Sequence, residues 1–186
     1  MKIGILSSDI EEWHVLRLSE ELKKREHEVY VFPITNLVSR IALEPKISIK
    51  EYSVGGYDAI IVRRVPGGSV EQVFYRMDTL HMLEEYGVHI FNSPDSIEKS
   101  VNKFYTSAIL DKQGLRSPRT IVTENFREAI RGFRELGEDV IVKPIFGSLG
   151  SGMTRVSDPE IAYRVFRSLR SEERRVGKEC VSECRS

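Results

Sequence analysis

Lys143 closes an apolar, largely β-branched run, Val140-Ile141-Val142, and is followed at once by Pro144. Residues 147–152 then read G-S-L-G-S-G, with glycines at Gly147, Gly150 and Gly152 and serines at Ser148 and Ser151. A strand that delivers one cation to a glycine-rich loop suits a polyphosphate. Glycine lets backbone N–H groups approach an anion closely, successive amides can form a nest, and lysine adds a point charge. Turn geometry alone would also call for the glycines of a hairpin. A buried-type strand ending on Lys143 leans towards phosphate. The lysine precedes the glycines and no G-K-[ST] follows them, so this is not a Walker loop.

A second group of candidates is cationic or amide-bearing and falls near strand ends. Arg63 and Arg64 follow the run 57–62, Asn92 follows 88–91, and Arg76 lies in the helical stretch that begins at about Val70. In an open α/β sheet, ligands meet the carboxyl ends of the strands. A guanidinium binds carboxylate or phosphate bidentately, although a solvated rim pair is the commoner fate of such residues. Adjacent strand residues point to opposite faces, so Arg63 and Arg64 are not expected on one ligand. Lys99 and Lys103 are four apart and share a helical face. The histidines (His14, His27, His81, His89) lack metal-ligand spacing. Cys180 and Cys184 stand alone at the end of the chain, so neither disulfides nor a cysteine-rich metal site shape the body.

The elements that must position these residues open as strand 1–6, helix 10–25 and strand 27–32. Trp13, Leu16 and Leu18 are expected on the apolar side of that helix. A βαβ start implies parallel strands and a right-handed crossover. Its first turn lacks G-x-G-x-x-G, which counts against dinucleotide binding. Residues 36–56 are irregular. Strand 57–62, a helix over 70–85 with Val73, Met77, Leu80 and Leu83 inward, and strand 88–91 complete the first domain. Ser93, Pro94 and Asp95 open a helix that is expected to run to Gln113. Strand 119–122, helix 125–136 and the hairpin 139–156 follow. A last helix after Asp158-Pro159 carries Ala162, Phe166 and Leu169 on one side.

The whole chain has 186 residues, 40% hydrophobic and 30% charged, with formal net charge zero. That is an ordinary globular composition with no basic field for nucleic acid or an anionic membrane surface. No apolar run approaches the ~20 residues of a membrane span, and no signal-peptide pattern opens the chain, so a cytoplasmic location is expected.

Taken together, S-P-x-S-I-E-x-S-x-N-K (93–103), G-L-x-S-P-R-T (114–120) and V-I-V-K-P-x-F-G-S-x-G-x-G-M (140–153) resemble the ATP-grasp ligases, and among them the RimK-type α-L-glutamate ligases. The segment R-R-V-P-G-G-S-V-E-Q-V-F-Y-R-M-D (63–78) is most similar to the branch that adds glutamate to tetrahydromethanopterin. The resemblance implies an α/β fold, with an N-terminal parallel βαβ pre-ATP-grasp domain (1–93) followed by an incomplete α+β ATP-grasp domain (94–169). It implies an ATP- and Mg²⁺-dependent carboxylate–amine ligase that forms an acyl-phosphate and joins L-glutamate to a carboxylate-bearing small-molecule acceptor. Lys103 and Lys143 match the two ATP-contacting lysines, and Gly147, Ser148, Gly150, Ser151 and Gly152 fall in the loop over the phosphates. Leu149 and Ser151 stand where relatives often carry charge. Arg64, Arg76 and, more loosely, Asn92 would face the acceptor. Homo-oligomers occur among RimK-like proteins.

Beyond residue 169 the resemblance stops before the adenine-contacting linker and the metal-holding carboxylates, so the chain is expected to be a fragment without ligase activity. Residues 170–180, R-S-E-E-R-R-V-G-K-E-C, resemble the conceptual translation of a sequencing adapter. The tail 170–186 is therefore expected to be non-native or disordered, and the hairpin's sheet to be left with an unpaired edge. A noncatalytic nucleotide- or ligand-binding α/β module is the alternative in a different functional class.

Overall fold

The computed structural model describes residues 1–146, 152–172 and 179–183. The chain divides into two compact units, Met1–Ile97 and Glu98–Ser186.

The first unit is built on a parallel sheet. β1 (Lys2–Leu6), β2 (Glu28–Phe32), β6 (Ala59–Val62) and β7 (His89–Phe91) lie in the order β2-β1-β6-β7. Gly4 pairs with Tyr30 on one side and Ile60 on the other, so all three strands run in parallel. Their short apolar runs bury Ile3, Ile5, Leu6, Ile60 and Val62. Parallel strands require crossovers, which α1 (Trp13–Lys24) and α2 (Val70–Glu85) supply. α2 buries Met77, Leu80 and Leu83, as its period predicts, whereas Val73 remains partly exposed. α1 differs from expectation more. Val15 and Ser19 are buried, with Leu18 and Leu22 on the same i, i+3, i+4, i+7 seam, whereas Trp13 is 64% exposed and Leu16 also faces out. The helix starts at Trp13 rather than near Ile10 because Ser7 and Asp9 make local turns first. Asp9 N–H donates to Ser7 Oγ at 3.1 Å, and Glu11 N–H to Asp9 Oδ1 at 3.0 Å.

The irregular 36–56 stretch contains a small antiparallel sheet of β3 (Leu37–Ser39), β4 (Ile47–Ile49) and β5 (Tyr52–Ser53). The Tyr75 hydroxyl on α2 donates to Leu37 O at 3.2 Å and accepts from Ser39 N–H at 3.1 Å, which moors this sheet. Leu6, Phe32, Ile34, Ile47, Val54 and Leu80 share one core, so the insertion folds onto the parallel sheet.

The expected helix from Ser93 to Gln113 is two helices, α3 (Pro94–Val101) and α4 (Lys103–Lys112). Asn102 takes extended backbone angles and its side chain accepts from Tyr105 N–H at 3.0 Å, so it caps α4 and ends α3. Because of this break, the four-residue spacing of Lys99 and Lys103 no longer defines a helical face.

The second unit pairs β8 (Thr120–Thr123), β9 (Val140–Pro144), β10 (Thr154–Val156) and β11 (Glu179–Glu183) in the order β10-β9-β11-β8. α5 (Phe126–Glu135) and α6 (Pro159–Glu172) cover one face, burying Phe133, Leu136, Val140, Val142, Val156, Ala162 and Phe166. Among the described residues this sheet has two edges, β10 and β8. Backbone residues 179–183 form an antiparallel strand between β8 and β9. An edge strand presents a row of unmet N–H and C=O groups, and any extended segment within reach can satisfy them. Among the described residues no helix is long and apolar enough to cross a membrane.

Candidate functional site

β9 carries Lys143 by simple alternation. Val140 and Val142 point into the core, so Ile141 and Lys143 are on the opposite face, and Lys143 is half-buried there. The β9–β10 hairpin is closed by register pairs Val142↔Thr154 and Val140↔Val156. Its base is clamped by Arg155, which donates from Nε to Asp139 Oδ1 at 2.9 Å and from Nη2 to Oδ2 at 2.8 Å. The guanidinium holds the Asp139 carboxyl below its ordinary value, chiefly through these hydrogen bonds.

Lys103 is the first residue of α4. Its backbone N–H donates to Ile145 O at 3.0 Å, so the start of α4 is joined to the chain two residues beyond Lys143. Gly152 closes the far side. It is exposed at φ +77, and a Cβ placed on it would lie 3.4 Å from Pro144 Cδ, so the loop returns against the end of β9. Lys103, Lys143 and Gly152 are thus gathered around 143–145. Gly147, Ser148, Gly150 and Ser151 lie outside the described residues.

The second group of candidates is in the first unit. Arg63 donates from Nη2 to Glu12 Oε1 at 2.9 Å, which ties the end of β6 to the start of α1. Arg64 is exposed and makes no side-chain hydrogen bond or ion pair with a described residue. Arg76 is not on the surface. It is 8% exposed and donates from Nη1 to Pro66 O and Gly67 O, at 2.7 and 3.1 Å. Asn92 adopts φ +59 and donates from Nδ2 to Val62 O at 2.8 Å, a structural tie between neighbouring strand ends.

The Glu12–Arg63 pair and the Arg76 clamp escaped sequence reasoning. Partners 51 residues apart leave no local spacing to read. The Ser69-x-x-Gln72 capping box was a legible signal: both reciprocal bonds form, and they fix the start of α2. Among the described residues no group of three or more His, Cys, Asp or Glu could hold a metal ion.

Residues 1–97 match the RimK pre-ATP-grasp domain family. The tetrahydromethanopterin:α-L-glutamate ligase of Methanosarcina acetivorans is 34% identical over 167 residues, which cover 87% of this chain and 51% of that protein. The chain spans about half the length of the curated relatives it matches. A RimK domain ATP-grasp protein of Sphaerobacter thermophilus superposes over 100% of this chain and 65% of its own, with TM-score 0.76 and 18% identity. The ATP-grasp ligase PsnB, solved with minimal precursor, Mg and ADP, gives TM-score 0.60 at 21% identity, with 100% and 65% of the two chains covered. With its pre-ATP-grasp sequence match and ATP-grasp fold, the chain belongs to the RimK family of ATP-grasp proteins.

Proposed function

We propose that the chain is part of an ATP-dependent carboxylate–amine ligase that joins L-glutamate to a carboxylate-bearing small molecule through an acyl-phosphate. The backbone bond from Lys103 to Ile145 carries this proposal, because it gathers the two candidate ATP-contacting lysines at the mouth of one glycine-rich hairpin. Lys143 supplies charge from the rigid end of β9. The N-terminus of α4 adds its dipole on the same side. Gly152 lets the loop pass close to Pro144, and we assign Gly147, Ser148, Gly150 and Ser151 to the same phosphate cradle. These groups neutralise and orient a polyphosphate, which is most of what phosphoryl transfer asks of a protein.

We assign residues 1–93 to the pre-ATP-grasp domain, 94–169 to the N-terminal part of the ATP-grasp domain and 170–186 to a tail foreign to the family. Arg64 is the acceptor-facing cation. The names of the relatives make a tetrahydromethanopterin-type acceptor the first to test. The Mg²⁺ ligands belong to the half of the relatives' length that this chain does not span. We assign nucleotide binding to this chain, and its location to the cytoplasm. Self-association, if it accompanies the activity, would appear in sedimentation of the purified chain.

Calorimetric titration of the chain with AMP-PNP tests the proposal. Saturable binding is expected, weakened about tenfold by Lys143→Met, the loss of one charge-assisted contact. Equal affinity in wild type and variant, or no binding at millimolar nucleotide, would sink it.

A further inference from the structure

The loop between β6 and α2 is held from inside by the helix it leads into. Arg76 Nη1 draws the carbonyl oxygens of Pro66 and Gly67 towards a single buried nitrogen. In a trans peptide the C=O and the following N–H lie in one plane and point opposite ways. Two carbonyls turned towards the guanidinium therefore turn the N–H groups of Gly67 and Gly68 away from it. Both glycines are exposed, and neither N–H donates to a described residue.

The neighbouring polar groups are already committed. Ser69 N–H donates to Gln72 Oε1 at 3.0 Å, Gln72 N–H to Ser69 Oγ at 3.3 Å, and the Ser69 hydroxyl to Glu71 Oε2 at 3.0 Å. Arg63 is paired with Glu12. Arg64, exposed, precedes Gly67 by three positions in the sequence. A Cβ at position 68 would meet Gln72 Oε1 at 2.5 Å and Arg76 Nη1 at 3.1 Å, so a side chain there displaces the ends of both. Position 67 is open. The loop leaves β6 beside β1, where the order β2-β1-β6-β7 reverses direction, and open α/β sheets take their ligands at such a reversal.

We propose that Arg76 is a positioning residue that presents the Gly67 and Gly68 N–H groups, together with Arg64, as a receptor for a carboxylate. The assignment of that carboxylate to an acceptor substrate rests on the ligase reading above. Arg76 does not touch the ligand. Its work is to keep two carbonyl dipoles pointing inward, where free rotation would turn their oxygens towards the anion. Two N–H donors and one guanidinium match the acceptor-only oxygens of a carboxylate.

The test uses the ¹⁵N-labelled full chain titrated with N-acetyl-L-glutamate. The Gly67 and Gly68 amide resonances are expected to shift saturably, together with the Arg64 side chain. Arg76→Met should weaken that response about tenfold, whereas Arg76→Lys, which keeps a cationic donor, should retain more of it. Amide dispersion of β1 and β6 in the same spectra reports the fold. If Arg76→Met unfolds the unit, Gly68→Ala pushes on Gln72 and Arg76 from the loop side and should give the same loss. Unmoved glycine resonances, or an Arg76→Met or Gly68→Ala variant that binds like wild type, overturn the proposal. A response to inorganic phosphate without one to N-acetyl-L-glutamate overturns the carboxylate assignment. AMP-PNP titration of the same samples separates the two claims, since loss of nucleotide binding with an intact glycine response overturns the ligase reading alone.

Discussion

The backbone N–H of Lys103 and the carbonyl oxygen of Ile145, 42 positions apart in sequence, meet at 3.0 Å and draw together two lysines with one expected task. The bond fixes the first turn of α4 to the exit of β9. Lys103 therefore approaches the loop from a helix terminus, while Lys143 approaches it from a strand end. If both lysines hold one polyphosphate, their contributions are coupled. A double-mutant cycle of Lys103→Met and Lys143→Met, read by AMP-PNP affinity, should show an interaction energy of about 0.5–3 kcal/mol. Strict additivity would mean that the two lysines serve separate ligands.

Asn102 is expected to matter in two ways. Its side chain satisfies Tyr105 N–H, and its extended backbone places Lys103 at the start of a new helix. Asn102→Ala should cost about 0.5–2 kcal/mol of stability in denaturant melts, with Asn102→Asp close to neutral. The alanine variant should also lose AMP-PNP affinity. A stability loss with unchanged affinity would show that the cap supports the helix but not the site.

The short apolar runs made β1, β6 and β9 legible, and the phasing of Met77, Leu80 and Leu83 did the same for α2, because both patterns reflect burial in the local sequence. The resemblance to known motifs put Lys103 and Lys143 together before any geometry was available. Other features were hidden for physical reasons. A single asparagine that caps one helix while ending another looks like an ordinary polar residue inside a longer pattern. Trp13 and Leu16 suggested an apolar side, yet the seam that packs is Val15, Leu18, Ser19 and Leu22, because α1 starts three residues late and a helix phase is set by its neighbours. Arg76 looked like a ligand fork until its partners, backbone carbonyls with no side-chain signature, were known.

Gly132 marks where α5 approaches β8. A Cβ at this position would sit 3.1 Å from both Cδ1 and Cγ2 of Ile121. Gly132→Ala gains helix propensity but overpacks this contact, so the expected outcome is destabilisation by about 1–3 kcal/mol. Ile121→Val removes Cδ1 and should recover part of the loss when combined with Gly132→Ala. A stabilised Gly132→Ala single variant would mean that Ile121 yields without cost.

The burial that excludes water from Tyr57 pushes its hydroxyl up to about 12, with Tyr30 and Glu28 adding smaller effects. The folded state holds this proton more tightly than the unfolded chain, whose tyrosine has its ordinary value of 10.0. The stabilisation is therefore complete below pH 10 and is lost as pH rises towards 12. Absorbance titration at the phenolate band should show a late-ionising tyrosine that disappears in Tyr57→Phe.

Acid acts on the other unit through Asp139. Its carboxyl is held below the ordinary 3.8 by the two bonds from Arg155, so the folded state binds this proton less tightly than the unfolded chain. The clamp's contribution is present above about pH 4 and is lost as pH falls through the depressed value. Hydrogen exchange of the β9 and β10 amides should accelerate over that acid range in wild type. In Asp139→Asn it should already be fast at neutral pH, with little further dependence on acid. The hairpin base sets how firmly β9 presents Lys143, so Asp139→Asn should also weaken AMP-PNP binding at pH 7 without removing any group that touches the nucleotide. If exchange quickens while affinity holds, the clamp stabilises the sheet and the phosphate loop keeps its shape by other contacts.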